Sequence, residues 1–444
     1  MSKRYLFCLM VLLMTGCATR NEQPKPEQLS ATEQPEQLTS TPVITKTQFP
    51  ATTVAPTISP SPTITPTPTE TFVPTPTQFA GGGKISVWDF SNQTPLLLRM
   101  NSDGSEVKQV FSFDEIEGDY SIFDVGSIFS MDGRFLLFPA VDKSNGAFTY
   151  FLLDTGDKTV RPVHSFPFKT LVPVNANFYL NRDVLLFTIR DSQSSDDLNS
   201  QFAKIVMIDL AADNNLIDLP NVGKSTFLEG VLPDGSLLVS KKRDDGQFDR
   251  VIIELNGEEV KSLDIDGQIE DILDRSISNR PYLWNAITDR EGSTPPKVNG
   301  KYLYLKECAE TSEFYTCSLF QVDLSESSVK EIINLPGESI FSFDVSSDNM
   351  KVAYRHCKYL DLLGNVNKCN LGLLDLQTEE ILFEIPNGEK PVWSPDGRYF
   401  VYIDEIIENF YVQSSTLMRS SWDGSEIIEI LPGNDKVNNP DWSE

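Results

Sequence analysis

Histidine is nearly missing. Two in 444 residues, His164 and His356, leave little for histidine-based catalysis or a histidine-rich metal site. Positive charge is also scarce. Lys and Arg total 37 against 64 Asp and Glu, a formal net charge of -27. A surface of that sign repels phosphate backbones and anionic headgroups, which argues against nucleic-acid binding and against direct electrostatic attachment to lipid. No Gly-x-Ser-x-Gly elbow and no His-Glu-x-x-His occurs. Asn221 to Thr226 looks like the tail of a phosphate loop, but the Gly required five residues before Gly223 is Asp218. Asp264-Ile265-Asp266-Gly267 lacks the spaced acidic ligands of a calcium loop and reads as a turn. The N-terminal apolar run, Tyr5 to Met14, is about half the ~20 residues that a spanning helix needs.

That run has another use. Lys3 and Arg4 precede it, and Thr15, Gly16 and Cys17 follow it, the order of an export signal. Met14-Thr15-Gly16-Cys17 resembles the bacterial lipobox, with Met in place of the usual Leu. The expectation is a signal peptide over 1–16 and acyl chains, palmitate among them, on Cys17. More than one chain is what stable anchoring requires. The implied location is a bacterial cell envelope, outside the cytoplasm. Residues 17–83 then form a tether. Positions 41–80 hold 13 Thr and 9 Pro, a composition that supports neither helix nor central strand and cannot bury enough apolar surface to order itself. As polyproline II it would reach on the order of 150–200 Å. The charges of residues 1–83 taken together cancel, so the whole -27 falls on residues 84–444.

Residues 84–444 repeat. The clearest unit is Pro391-Val392-Trp393-Ser394-Pro395-Asp396-Gly397-Arg398-Tyr399-Phe400-Val401-Tyr402: a strand, a tight turn and a second alternating strand. Cousins surround Asp132-Gly133 and Asp234-Gly235, with looser copies near 183, 300 and 349. Each is followed by a second hairpin, as at Asp154-Thr155-Gly156-Asp157 and Trp422-Asp423-Gly424-Ser425. Four antiparallel strands, a to d, recurring about every 50 residues are a propeller blade. Residues 84–111 supply three strands only. The fourth is read at the other end, where Trp442 follows Trp393 by one blade length. The expectation is an all-β fold, a seven-bladed β-propeller closed by its C-terminal strand; six or eight blades also fit the spacing.

The Trp-Ser-Pro-Asp-Gly-Arg-Tyr pattern and the Asp-Gly-Ser hairpins resemble the TolB-type WD40-like (PD40) propeller repeat of exported bacterial proteins, over nearly all of 84–444. TolB proteins carry an extra N-terminal α/β domain and six blades, neither of which is read here, so their particular partners do not carry over. The resemblance implies a non-enzymatic binding scaffold with no cofactor and no catalytic residues.

Four cysteines remain in the propeller. Cys308 and Cys357 stand at equivalent ends of strand b in consecutive blades, and Cys317 and Cys369 open the following strand c. Hairpin geometry and an oxidising location favour Cys308–Cys317 and Cys357–Cys369 among the three possible pairings. Spacings of eight and eleven residues do not suit zinc. Each closure would contribute about 2–3 kcal/mol by loop entropy. Two function classes stand. The first is a lipid-tethered, monomeric scaffold that binds a protein or peptide ligand on the b–c face, near Asp191 to Ser200, Ala309 to Thr316 and Lys358 to Lys368, with Phe314, Tyr315 and Tyr359 as contacts. The second is a carbohydrate-binding or carbohydrate-active propeller of the glycoside hydrolase or lyase type. Trp284 is a possible sugar platform, although strand a of blade 5 is the plainer assignment. Aromatics beside carboxylates in the central channel would favour this second class.

Overall fold

The structure, a computed structural model, describes residues 83–443 except 123–126, 131, 168–170, 180–183, 192–202, 212–214, 224, 244–247, 274–295, 311–314, 336–337, 360–365, 409–410 and 432–435. The expected signal peptide, Cys17 and nearly all of the tether lie outside these residues, as do Phe314 and Trp284.

The described strands fall into seven antiparallel units, six of four strands and one of five. In unit one, β1 (Lys84–Asp89), β2 (Leu96–Asn101) and β3 (Lys108–Ser112) are joined by β29 (Val437–Ser443) from the far end of the chain. Unit two holds β4 (Tyr120–Ile122) and β5 (Ile128–Phe129), both paired to β6 (Phe135–Asp142), then β7 (Phe148–Asp154) and β8 (Thr159–Phe166). Unit three runs β9 (Leu171–Phe178), β10 (Val184–Asp191), β11 (Ala203–Asp209), β12 (Leu216–Asp218). Unit four runs β13 (Thr226–Val231), β14 (Leu237–Lys242), β15 (Phe248–Ile253), β16 (Glu259–Leu263). Unit five runs β17 (Lys297–Asn299), β18 (Tyr302–Glu310), β19 (Tyr315–Asp323), β20 (Ser328–Ile333). Unit six runs β21 (Glu338–Val345), β22 (Lys351–Tyr359), β23 (Val366–Asp375), β24 (Glu380–Pro386). Unit seven runs β25 (Gly388–Trp393), β26 (Tyr399–Glu408), β27 (Tyr411–Ser421), β28 (Ile427–Glu429). Units five and six merge into one eight-stranded sheet through a single parallel pairing of Cys317 with Ser339.

The recurring Ser-x-Asp-Gly signature has a physical reason. In the first turn of a unit the Ser hydroxyl donates to the Asp two residues on: Ser130 to Asp132 at 2.8 Å, Ser346 to Asp348 at 2.6 Å, Ser394 to Asp396 at 2.7 Å. The next residue must turn left-handed. It is Gly at 133, 235, 300 and 397, and Asn at 349, all with positive φ. At Gly133 space matters as well, since a Cβ there would fall 2.0 Å from the Ser443 hydroxyl of the closing strand.

Middle strands such as β6 and β14 are buried along most of their length, whereas the fourth strands β8, β16 and β24 are largely exposed. Apolar residues therefore cover both faces of each sheet's centre, and both faces need a neighbour. They find one. Among the described residues seven apolar cores occur, each shared by two consecutive units. Trp88 and Phe111 meet Phe138 and Phe151; Leu137 and Tyr150 meet Phe187; Leu186 meets Leu237; Leu238 meets Leu303; Tyr304 meets Tyr354; Leu373 meets Trp393. The seventh joins the last unit to the first, with Ile403 and Leu417 against Ile85, Met100 and Trp442. The circuit of cores returns on itself. First strands lie side by side around the axis, β9 by β13, β13 by β17, β17 by β21, β21 by β25 and β25 by β29.

One element departs from the sequence expectation. Asp264-Ile265-Asp266-Gly267 does not end as a turn; Asp266 opens α1 (Asp266–Leu273), which buries Ile269 against Leu263 and Phe320. None of the described helices is long and apolar enough to cross a membrane.

The closing strand pairs with β1 from Lys84↔Ser443 to Asp89↔Val437. Deleting residues 437–444 is expected to lower Tm and broaden the melting transition, because it strips β1 of its ladder and the last core of Trp442. Trp442→Ala alone should cost about 3–5 kcal/mol in denaturant unfolding. A truncated protein that melts like the parent would place this strand outside the ring's stability.

Candidate functional site

Three levels can be followed along the axis: the first-turn end, the middle of the innermost strands, and the far end where second and third strands form long hairpins.

At the first-turn end, strand register aligns one residue from each innermost strand. These are Ile128, Asn177, Gly230, Asp344 and Val392, each one residue before the last rung of the first hairpin, and Lys297 and Asp441, each two before it where the pairing runs one rung further. Three of the seven are charged, and sequence reasoning found none of them. The Lys297 ammonium lies 2.9 Å from an Asp344 oxygen yet keeps 41% of its side chain exposed, so water reaches it. The other Asp344 oxygen accepts the Trp393 backbone N–H at 2.9 Å, and the Trp393 indole donates to the Asp344 carbonyl at 3.1 Å. Asp344 therefore fixes the innermost strand of the next unit. Asp441 stands three places from Lys297 in a ring of seven, the largest separation available, and the two charges still interact. Arg99 lies behind Asp441, with its guanidinium 3.0 Å from the Thr155 hydroxyl and 3.4 Å from that of Ser443.

These placements tune protonation. Burial would lower Lys297, but the charge and hydrogen bond of Asp344, with Asp441, outweigh it and raise its pKa. Burial pushes Asp441 up to about 6; Lys297 and Arg99 oppose the shift and Asp344 adds to it.

In the middle level, five innermost strands carry a β-bulge at one level: at Val174, Glu229, Phe341, the Lys390–Pro391 pair and the Asn439–Pro440 pair. Lys390 and Asn439, one unit apart and each before a proline, share the same positive φ of 48° and 50°. A bulge re-aims one side chain. Glu229 is turned onto Arg250, which it meets at 2.9 Å, and Lys390 onto Asn438 and Asn439. The extra residue differs in type from unit to unit, so no sequence pattern marks it.

At the far end, second and third strands run nine to eleven residues in units five, six and seven, against six in units one and four. In unit seven the hairpin pairs on to Glu408↔Tyr411, past the point where the innermost strand leaves it at Gly388↔Asp404. The three hairpins form a raised crest on consecutive units. The expected bridge Cys357–Cys369 is present across directly paired residues, Cα to Cα 4.1 Å. Cys317 is also disulfide-bonded, and Cys308 stands directly opposite it in the register. Tyr315 opens β19 and Tyr359 ends β22, so both lie on the crest, although their side chains are outside the described set. Ile406 is the crest's clearest exposed apolar side chain, at 54%. Of the loop expected near Asp191 to Ser200, only Asp191 is described, at the end of β10.

No family model matches this chain, and no curated protein does. Solved structures do. TolB from Acinetobacter baumannii is 16% identical with a TM-score of 0.43, over 82% of this chain and 67% of that one. A prolyl endopeptidase is 12% identical with a TM-score of 0.49, over 82% of this chain and 49% of that one. Oligogalacturonate lyase from Vibrio parahaemolyticus is 8% identical with a TM-score of 0.47, over 77% of this chain and 85% of that one. The chain is similar in fold to these propellers. It spans about half of the prolyl endopeptidase, and likeness at this level describes architecture, not activity.

Asp441 gives a pH test of the axial arrangement. The fold favours its protonated form, so its contribution is complete below the ~3.9 of a free Asp and is lost as pH rises through about 6. Asp441→Asn, a neutral mimic, is expected to melt with the parent near pH 4 and above it near pH 8. Equal displacement at both pH values would show that Asp441 does not titrate in the fold.

Proposed function

We propose that this protein is a lipid-anchored, surface-tethered scaffold that binds a protein or peptide through the crest of units five to seven. The observation that carries it is the crest itself: three consecutive hairpins with strands of nine to eleven residues, with a disulfide across the one in unit six and another at Cys317 in unit five. Closing a loop before it meets a partner lowers the ordering cost of binding, and loops on a rigid framework are where recognition concentrates. The turns at the opposite end are short Asp-Gly types held by their own Ser and Asp side chains, which leaves them less to offer. The Thr/Pro-rich stretch before the propeller supports a role at a distance from the membrane, and the Thr-Gly-Cys order supports acylation of Cys17.

A carbohydrate-directed function is the second reading, favoured by Asp344 and Asp441 in the axis. Against it, the other positions at that level are Ile128, Asn177, Gly230, Lys297 and Val392, none of them aromatic, and the neighbouring Trp393 and Trp442 are buried in the cores.

Two measurements separate these. After cross-linking identifies a partner, Tyr359→Ala, Phe314→Ala and Ile406→Asp should each weaken its binding at least about tenfold, roughly 1.4 kcal/mol. Cross-links that map to the Asp-Gly turns, with affinity unchanged in all three, would move the site to the other end. For the anchor, the intact mass of membrane-extracted protein should correspond to a chain starting at Cys17 plus lipid, and Cys17→Ser should release the protein. A Cys17→Ser protein that stays membrane-bound would refute acylation.

A further inference from the structure

Units five and six share one eight-stranded sheet and carry the cysteines of the crest. Each side of this double unit is closed by a buried arginine that serves more carboxylates than it can neutralise.

On the side of unit four, Arg250 on β15 meets Glu229 on β13 at 2.9 Å, and also Asp266 at the start of α1 and Glu307 on β18 of unit five. Ser240 donates to Glu229 as well. Three carboxylates surround one cation, and both Arg250 and Glu229 are buried. Were all three ionised, two negative charges would be left over in a poorly solvated seam. Of the other charges there, Asp249 adds to the excess and Lys306 relieves Glu307 in part. Burial raises the pKa of Glu307 and pushes Asp266 up to about 7.

On the side of unit seven, Arg355 on β22 pairs with Glu389 on β25, and the Glu405 carboxyl on β26 interacts with both. Two ionised carboxylates beside one guanidinium would leave a negative charge over in a poorly solvated seam. Burial, with the charge of Glu389, pushes Glu405 up to about 8 against the pull of Arg355 and Lys390. The same Arg355 lies 3.4 Å from the Cys369 sulfur, so this seam reaches the braced hairpin of unit six.

We propose that the two seams are a paired pH-sensitive device. With a proton on each carboxylate cluster, the double unit is locked between its neighbours; loss of those protons as pH rises loosens both seams and frees the double unit to move against the rest of the ring. The sign follows from protonation being favoured in the closed state. Closure is complete below the ordinary carboxylate range of ~4 and weakens up to tenfold per pH unit for each proton as pH climbs through 7 to 8. This holds whether or not the crest binds a protein.

Hydrogen exchange of the full chain at pH 6 and pH 9, corrected for intrinsic rates, tests it. Amides of 226–231, 248–253, 388–393 and 399–406 are expected to lose protection at least tenfold at pH 9, while those of 135–142 and 184–191 keep theirs. Asp266→Asn with Glu405→Gln fixes the neutral forms and should retain seam protection at pH 9. Unchanged seam protection in the parent, loss spread evenly over all units, or a double variant that opens like the parent would each overturn the device. The parent comparison decides alone if the double variant does not fold.

Discussion

Every sheet in this molecule has two apolar faces, and that requirement governs the rest. A sheet with Phe138 and Phe151 on one side and Leu137 and Tyr150 on the other cannot end a stack. Either a polar cap must follow, or the stack must curve until its first and last members meet. Here they meet, through Ile403 and Leu417 on Ile85 and Trp442. The inward crowding of seven innermost strands follows from that curvature. So does the appearance of Lys297, Asp344 and Asp441 at one level of a shared axis.

Much of this architecture can be read in the residues because it is periodic. The Ser-x-Asp-Gly turn is a local device that needs four residues, so Ser394 to Gly397 announces its hairpin unaided. Trp442 stands one repeat beyond Trp393, and that offset alone points to the strand that completes unit one. Cysteines placed on directly paired rungs follow from the same hairpin logic, as Cys357 and Cys369 show.

What stayed hidden is either aperiodic or distant. Bulges repeat in position but not in residue type, since Glu229, Phe341 and Asn439 share no chemistry. The axial charges become visible only once register aligns strands from different repeats. Arg250 gathers carboxylates 16, 21 and 57 residues away, from three elements, and no local pattern could assemble them. The helix α1 begins on an Asp-Gly pair that ordinarily signals a turn, and its one buried apolar side chain is Ile269. Chemistry here sits between repeats, while legibility sits within them.

The pairing of β29 with β1 also sets the order of events in folding. Lys84 pairs with Ser443, among the most distant contacts the chain can make. Hairpins of units two to seven can form as they emerge, since their strands are neighbours in sequence. Unit one cannot. Its innermost strand arrives last, so β1 keeps an open edge for as long as the chain is being delivered from its N-terminus. A chain of this design stays an open string of hairpins until its closing strand is in place, and its topology delays commitment to a rigid body until then.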